Sequence, residues 1–188
     1  MSELQGLKPQ ERTKLLAAIT DPRDLAIVVL GLRHGFRSSE IADLKMSDVD
    51  LDNSLIRVRR GKGSETNDHT IEDGLEALNE RTVLLNALAA RPADQTYVFV
   101  SQKGGRLHRS QIFRIFQQAA IKAGLPRQKR HYHCAKHTLA FSMLKAGASL
   151  PETQKYLGWK SLATAGRYLA VTDETACKAA KSVYGAKA

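Results

Sequence analysis

The feature that most constrains the fold is an apolar run at residues 25–32, bounded by charged residues on both sides. Asp21, Pro22 and Asp24 precede it in the pattern of a helix N-terminus, with a cap residue and a proline in the first turn. A helix that is apolar on nearly every face has to be surrounded by other elements. The run is much shorter than the roughly 18 residues of a membrane span. We therefore predict a central core helix that extends to about Arg33.

The other segments indicate a mainly α-helical domain with a small β-hairpin or meander, an α+β arrangement. Residues 55–59 are rich in branched side chains, a glycine turn follows, and a polar strand is expected at residues 68–71. Residues 97–100 fit a short buried strand or extended segment. Further helices are expected where apolar residues recur at helical spacing, at residues 7–19, 38–44, 75–90, 110–123, 134–146, 151–157 and 162–169.

The excess positive charge of the chain lies in one segment. The net charge is +10 at pH 7. Residues 95–151 contain no Asp or Glu and hold ten Lys or Arg, while the rest of the chain balances nineteen bases against nineteen acids. Because Lys and Arg contacts to phosphate dominate nucleic-acid affinity, nucleic acid is the leading partner. A solvated basic surface or a surface for acidic lipid would carry the same charge.

Cysteine and histidine content bears on the compartment and on metal binding. Cys134 and Cys177 are far apart and fit free thiols in a reducing compartment, and no signal-peptide pattern is present. We therefore expect a cytoplasmic protein without a membrane contact. His131, His133, Cys134 and His137 are ligand types for zinc. Neighbouring positions on a helix point apart, however, so neither a metal nor another cofactor is expected.

Five short motifs follow one another along almost the whole chain. In order, they are the box Gly35-Phe36-Arg37-Ser38-Ser39-Glu40, the turn Gly61-Lys62-Gly63, the box His133-Cys134-Ala135-Lys136-His137, the tripeptide Leu157-Gly158-Trp159, and Arg167-Tyr168. Each motif alone is common, but all of them in this order are difficult to obtain by chance. Together they resemble the tyrosine recombinase or phage integrase family. The closest likeness is to its short, single-domain members of the fimbrial-switch kind.

The resemblance implies a fold, a reaction and an assembly. The fold would be the recombinase catalytic domain at residues 1–172, followed by a tail helix at residues 173–188 that packs on a neighbouring protomer. The protein would be a site-specific recombinase of the integrase or invertase type. It would cleave and rejoin double-stranded DNA through a 3′-phosphotyrosyl intermediate, as a homotetramer encoded by a bacterium, a phage or a mobile element.

The resemblance also implies a catalytic set that matches the needs of the chemistry. Displacing an alkoxide from a phosphodiester requires a nucleophile, an acid for the leaving oxygen and positive charge on the non-bridging oxygens. Tyr168 would be the nucleophile, Lys62 would protonate the departing 5′ oxygen, and His133 would assist proton transfer at Tyr168. The expected phosphate ligands are Arg37, Lys136 and Trp159, with Glu40 as the support of Arg37.

A further group of basic residues is expected to contact DNA outside the catalytic set. Glu65 and Asp68, beside the Lys62 turn, can weaken such contacts or pair with the arginines of the preceding strand. The expected DNA contacts are Arg57, Arg59, Arg60, Lys103, Arg106, Arg109, Arg114, Arg127, Lys129 and Arg130.

Lys136 departs from the family pattern, which has arginine at this position. Lysine keeps the charge but loses the forked pair of donors, so the exchange is not conservative. Two other functions therefore stay open, namely a DNA-binding regulator on a recombinase fold and a relaxase like the type IB topoisomerases. Lys136→Arg is expected to keep or raise the cleavage rate, unless a pocket built around lysine lacks room for a guanidinium.

Overall fold

The structure is a computed structural model that describes residues 6–60, 66–75, 78–159 and 168. Within them the chain forms seven α-helices and five short strands. The helices are α1 (Pro9–Ala17), α2 (Pro22–His34), α3 (Ser38–Asp43), α4 (Glu80–Ala89), α5 (Arg109–Lys122), α6 (His133–Lys145) and α7 (Leu150–Leu157). The strands are β1 (Val49–Asp50), β2 (Leu55–Val58), β3 (Asn67–Thr70), β4 (Asp73–Leu75) and β5 (Leu78–Asn79). The expected mainly helical fold with a small sheet is confirmed.

Helix α2 is the core helix that the apolar run predicts. Its N-terminus is capped by the Asp21 carboxylate, which accepts a hydrogen bond from the backbone N–H of Asp24 at 2.9 Å. Residues 26–32 are all buried, and α2 packs against α4, α5 and α6. Gly35 ends the helix with φ at 64°, a left-handed conformation that glycine adopts readily. This turn directs the chain into the segment that carries Arg37.

Strands β1, β2 and β3 form an antiparallel sheet with β2 in the middle. Ile56 of β2 lies opposite His69 of β3, and both are buried. Val58 is also buried, whereas Arg57 between them is exposed, because successive side chains of a strand point to opposite faces. The predicted meander is thus confirmed. Lys62 belongs to the turn between β2 and β3 and lies outside the described residues.

The start of α4 differs from the prediction of a helix from residue 75. Strands β4 and β5 form a two-stranded antiparallel sheet there, and α4 begins at Glu80. The side chain of Asn79 caps the helix by accepting from the backbone N–H of Thr82 at 2.8 Å. Glu80 is buried, with one carboxylate oxygen 2.5 Å from His34 Nε2. A cap and a tertiary contact therefore override the local helical pattern.

Some expectations concern segments at the edge of the described structure or beyond it. Residues 97–100 do not form a strand, because Val98 and Phe99 are bends between two isolated β-bridges, from Tyr97 to Lys45 and from Val100 to Arg106. The helix expected at residues 162–169, the tail helix and the division of the chain at residue 172 fall on residues that are not described, Tyr168 excepted. No described helix combines the length and apolar character needed to cross a membrane.

Candidate active site

Helix α7 ends at Gly158, and its last carbonyl groups face basic side chains. Gly158 has φ at 59°, and its backbone N–H donates to Lys155 O. The final carbonyls of an α-helix have no partner within the helix. Here Lys136 Nζ donates to Leu157 O at 2.6 Å, and Arg37 Nη2 donates to Gly158 O at 2.7 Å. These bonds place Arg37 and Lys136 at the same helix end.

Arg37 and Glu40 form an ion pair at the start of α3. The backbone N–H of Arg37 donates to Glu40 Oε2 at 2.7 Å, and Arg37 Nη1 donates to Glu40 Oε1 at 2.6 Å. Glu40 is buried, whereas the side chain of Arg37 is 31% exposed. The guanidinium is thus fixed in position but still reaches solvent. A group held in this way is suited to a forked contact with a phosphate.

Arg60 lies inside the protein, which contradicts its expected contact with DNA. Its side chain is 0% exposed, and Nη1 is 3.7 Å from Glu40 Oε1. Nη1 donates to Leu157 O at 2.5 Å, and Nη2 donates to Tyr156 O at 2.7 Å. Burial lowers the pKa of the guanidinium, against the attraction of Glu40. Arg60 therefore joins Arg37 and Lys136 at the end of α7.

Arg37, Arg60 and Lys136, which we call the cation cluster, share Glu40 as their neighbouring carboxylate. Lys136 is 7% exposed. Burial first, and then repulsion from Arg37, lowers the pKa of Lys136 to about 7, while Glu40 opposes the shift. An excess of positive charge in surroundings of low dielectric constant favours the binding of an anion. The cluster is therefore a candidate phosphate site.

Tyr168, the described residue nearest the C-terminus, packs on His137 and Phe141 of α6. Its hydroxyl oxygen is 2.5 Å from His137 Nδ1. Its ring stacks on Trp159 with a centroid distance of 5.1 Å and meets Phe141 edge-on at 4.9 Å. Tyr168 is only 2% exposed. We expected His133 to assist proton transfer at Tyr168, whereas the hydrogen bond in the structure joins Tyr168 to His137.

His133 is the first residue of α6 and lies one helical turn from Lys136, as the spacing predicts. Its ring reaches solvent, but the surrounding protein removes enough water to lower its pKa. The nearby charges of His131, Lys136 and Arg37 act in the same direction. His133 is therefore neutral at pH 7. In that state one ring nitrogen is able to accept a proton.

Several of the other expected DNA contacts are already engaged within the protein. Lys129 is buried and bonded to Glu11 at 2.7 Å, which contradicts a contact with DNA. Arg130 Nε donates to Leu125 O at 2.6 Å. Three more arginines form ion pairs. Arg57 pairs with Asp68 at 2.9 Å and Arg106 with Asp43 at 2.6 Å at the surface, and the exposed Arg59 pairs with the buried Asp48 at 2.6 Å.

Four of the expected DNA contacts are exposed and form no ion pair with a carboxylate in the described part of the chain. We call them the exposed basic set, and they are Lys103, Arg109, Arg114 and Arg127. Arg109 and Arg114 both lie on α5. Their charges remain available to a partner, because no described carboxylate neutralises them.

The positions of Arg60, Lys129 and His137 differ from those expected, and for His137 and Arg60 the sequence contains a signal. His137 follows His133 by four residues, so both belong to one face of α6. Arg60 continues the inward alternation of Ile56 and Val58 along β2, all of them buried. Within the described residues, no group of three or more His, Cys, Asp or Glu side chains is arranged to hold a metal ion.

Comparison with known proteins shows the family. The model of the phage integrase family matches residues 5–175. The type 1 fimbriae regulatory protein FimE of Escherichia coli (strain K12) is 33% identical over 176 residues, which cover 90% of this chain and 87% of FimE. The chain therefore belongs to the phage integrase family, the tyrosine recombinases. The resemblance drawn from the five motifs is confirmed.

Solved structures share the fold. A crystal structure of XerA recombinase is 31% identical, with a TM-score of 0.76 over 98% of this chain and 66% of that one. XerH site-specific recombinase bound to its difH substrate in a pre-cleavage complex is 25% identical, with a TM-score of 0.72 over 87% of this chain and 49% of that one. The chain thus spans about half to two thirds of these longer recombinases.

Proposed function

We propose that this chain is a site-specific DNA recombinase in which Tyr168 attacks a phosphodiester held by the cation cluster. One observation carries the proposal. The end of α7 gathers Arg37, Arg60 and Lys136 near the Glu40 carboxylate, and Tyr168 is stacked on Trp159 and hydrogen-bonded to His137, the residue that follows Lys136 on α6. A phosphate would supply the negative charge that the cluster lacks. Arg37 is the cluster member most open to solvent, and it would meet the phosphate first.

The reaction follows from the groups at the site. The phenolic proton of Tyr168 leaves toward His137 Nδ1, 2.5 Å away, as the phenolic oxygen bonds to phosphorus. The bond from phosphorus to the 5′ oxygen breaks, and that oxygen takes a proton from Lys62. The product is a 3′-phosphotyrosyl link and a free 5′ hydroxyl, so the step consumes no water. Arg37 and Lys136 would stabilise the charge that develops on the non-bridging oxygens.

We propose that the protein acts on double-stranded DNA as a tetramer. Exchanging strands between two duplexes requires four strand cleavages, and each Tyr168 forms one covalent link. The partner is supported by the family and by XerH site-specific recombinase, which was solved bound to its difH substrate. The exposed basic set would supply contacts to the DNA backbone, since each Lys or Arg at a phosphate releases a counterion.

A second candidate function is a DNA-binding regulator with weakened catalysis. It is favoured by Lys136, whose ammonium already donates to Leu157 O and whose pKa lies at about 7. A point charge that is partly titrated at neutral pH stabilises a transition state less than a guanidinium does. The regulator would bind DNA through the same exposed residues but form no covalent link.

Covalent capture tests the proposal. Nicked suicide duplexes that tile the DNA flanking the coding region are incubated with the protein, and adducts are separated on a denaturing gel. We expect an adduct with the wild type, none with Tyr168→Phe, and a wild-type level with Tyr97→Phe as the matched control. An adduct of Tyr168→Phe at the wild-type level would disprove the assignment. Absence of an adduct from every duplex would favour the regulator, and relaxation without strand exchange would favour a topoisomerase.

A further inference from the structure

Two cations of the site donate to the same carbonyl oxygen. Leu157 O accepts from Arg60 Nη1 at 2.5 Å and from Lys136 Nζ at 2.6 Å. Arg60 comes from the end of β2 and Lys136 from α6, so the two side chains approach the end of α7 from different elements. The proposed reaction assigns no step to Arg60. Its position at the centre of the cluster therefore needs another explanation.

The space around Arg60 is filled. Its side chain is 0% exposed, and a Cβ atom placed on Gly158 would strike its guanidinium. Lys136 is likewise buried, and the Cγ atom of its side chain lies 3.5 Å from where a Cβ on Gly35 would be. Protein interiors are packed as densely as organic crystals, and extra atoms force other groups to move. Arg60 thus occupies volume that a longer side chain at position 136 would require.

The charges of the cluster limit position 136 as well. Glu40 is the described carboxylate close to Arg60 and Arg37, and the Nε atom of Arg60 is buried without a hydrogen-bond partner among the described residues. A second buried guanidinium would compete for Leu157 O and leave more donors unsatisfied. Buried donors without a partner destabilise a structure. An ammonium needs fewer acceptors, so it fits beside Arg60.

We infer that Arg60 is a positioning residue that forms one functional unit with Lys136. Arg60 holds the last carbonyls of α7, which fixes the segment that leads to Trp159, and Lys136 is tolerated as the phosphate ligand because Arg60 fills the neighbouring space. The pair thus provides one guanidinium and one ammonium in place of a single forked donor at position 136. This inference rests on the proposed recombinase function.

If Arg60 and Lys136 form one unit, the effect of Lys136→Arg, which restores the family residue, should depend on Arg60. Lys136→Arg alone is expected to lower the cleavage rate about tenfold, because Arg60 leaves no room for it. After Arg60→Met, the same change is expected to raise the rate about tenfold, a size typical of coupling between residues in contact. Arg59→Met is the matched control, since Arg59 is the neighbouring arginine but is 56% exposed and paired with Asp48.

Single-turnover cleavage of a nicked suicide duplex measures these rates. The change Lys136→Arg is compared in three backgrounds, namely the wild type, Arg60→Met and Arg59→Met. An equal effect in all three backgrounds would overturn the inference. Should Arg60→Met fail to fold, the exchange Arg60→Lys with Lys136→Arg keeps the summed volume and charge, and it should cleave faster than Lys136→Arg alone. A rate no higher than that of the single variant would again overturn it.

A second measurement needs no DNA and therefore separates this inference from the proposed function. Urea unfolding is followed for Arg60→Met, Lys136→Met and the double variant. Each single variant keeps one donor to Leu157 O, and it also loses the repulsion between the two cations. In the double variant Leu157 O loses both donors, but the repulsion can be lost only once. The double variant should therefore be less stable than the sum of the single effects. Additive effects would show that the two residues act independently.

The pH profile gives a readout that a purely structural role would not move. The charged or titratable groups that act on Lys136 or are influenced by it are Arg37, Glu40, Arg60, His69 and His133. Burial lowers the pKa of His69 to about 3, so that ring stays neutral over the pH range of the assay. The cleavage rate should fall as Lys136 loses its proton with rising pH. Without the repulsion from Arg60, Lys136 should keep its proton to higher pH, so the fall in cleavage rate should shift to higher pH in Arg60→Met. An unchanged profile in this variant would count against the coupling of Arg60 and Lys136.

Discussion

The cation cluster and the exposed basic set are both positively charged, but their surroundings differ. In the cluster, Arg60 and Lys136 are buried, each donates to a main-chain carbonyl, and the pKa of Lys136 falls to about 7. In the exposed set, Arg109 and Arg114 lie on the outer side of α5 and form no ion pair with a described carboxylate. One region holds its charges in fixed positions, whereas the other leaves them in water.

The difference decides what each region is able to do. An interaction between charges is several times stronger in the protein interior than in water, and groups that are already fixed need no reorganisation when charge develops. The cluster is therefore suited to stabilising the charge that develops in a transition state. Exposed charges are screened by salt and act mainly through their number, so the exposed set is suited to affinity for DNA. Substitutions in and around the two regions test this division.

Lys62→Ala should slow the cleavage of ordinary DNA by roughly 10²–10⁴, the usual span for lost acid catalysis. The reason is that the departing 5′ oxygen needs a proton, which neither basic region is proposed to supply. A duplex with sulfur in place of that oxygen needs little protonation and should be cleaved nearly as fast by the variant as by the wild type. Single-turnover rates on both duplexes measure the effect. Equal slowing on the two substrates would mean that Lys62 is not the acid.

Lys136→Ala should lower the cleavage rate by about 10²–10³, the scale for removing one donor from a developing oxyanion. Binding of DNA should change much less, because one buried charge contributes little to the salt-dependent affinity. The measurement is cleavage at saturating DNA, with Arg109→Ala as the control from the exposed basic set. That control should cleave at nearly the wild-type rate. A loss of similar size in both variants would break the division between the two regions.

Neutralising Arg109 and Arg114 together should reduce the slope of log affinity against log salt by about 2, close to one unit for each phosphate that the protein no longer neutralises. The cleavage rate at saturating DNA should stay unchanged. Arg57→Gln with Arg59→Gln is the comparison, because these arginines are paired with Asp68 and Asp48 and should change the slope less. Binding titrations over a range of salt concentrations give the slopes. An unchanged slope for the α5 pair would show that this helix faces away from DNA.

Lys136→Met should raise the melting temperature at pH 6 by about 2–4 °C, the shift expected for about 1 kcal/mol in a domain of this size. An unfolded lysine has a pKa of about 10.4, whereas burial lowers the pKa of Lys136 to about 7. Between these values the unfolded chain binds more protons, so Lys136 stabilises the fold less as the pH falls from 10 to 7. Melting curves of both proteins at pH 6 and pH 9 test this. The gain should shrink at pH 9, and a gain independent of pH would contradict the buried charge.

The sequence by itself determined most helices and the composition of the site. Helices α2, α5, α6 and α7 follow from apolar spacing together with caps and glycine stops, which are interactions within a few residues. The resemblance also led us to expect Arg37 and Lys136 at one phosphate, and in the structure both donate to carbonyl groups at the end of α7. The start of α4 was wrong, since Asn79 and the buried contact between Glu80 and His34 decided it.

Only the tertiary structure decided what each charge contacts. Arg60 and Arg59 are neighbours in sequence, yet the guanidinium of Arg60 is buried at the end of α7, whereas that of Arg59 is exposed and paired with the buried Asp48. The resemblance led us to expect His133 as the partner of Tyr168, whereas the packing of α6 brought His137 to its hydroxyl. The physical reason is that burial and partners depend on elements far apart in the chain. The sequence shows which residues carry a charge, but the dielectric surroundings that set the pKa of each residue and the range of its electrostatic interactions exist only in the folded protein.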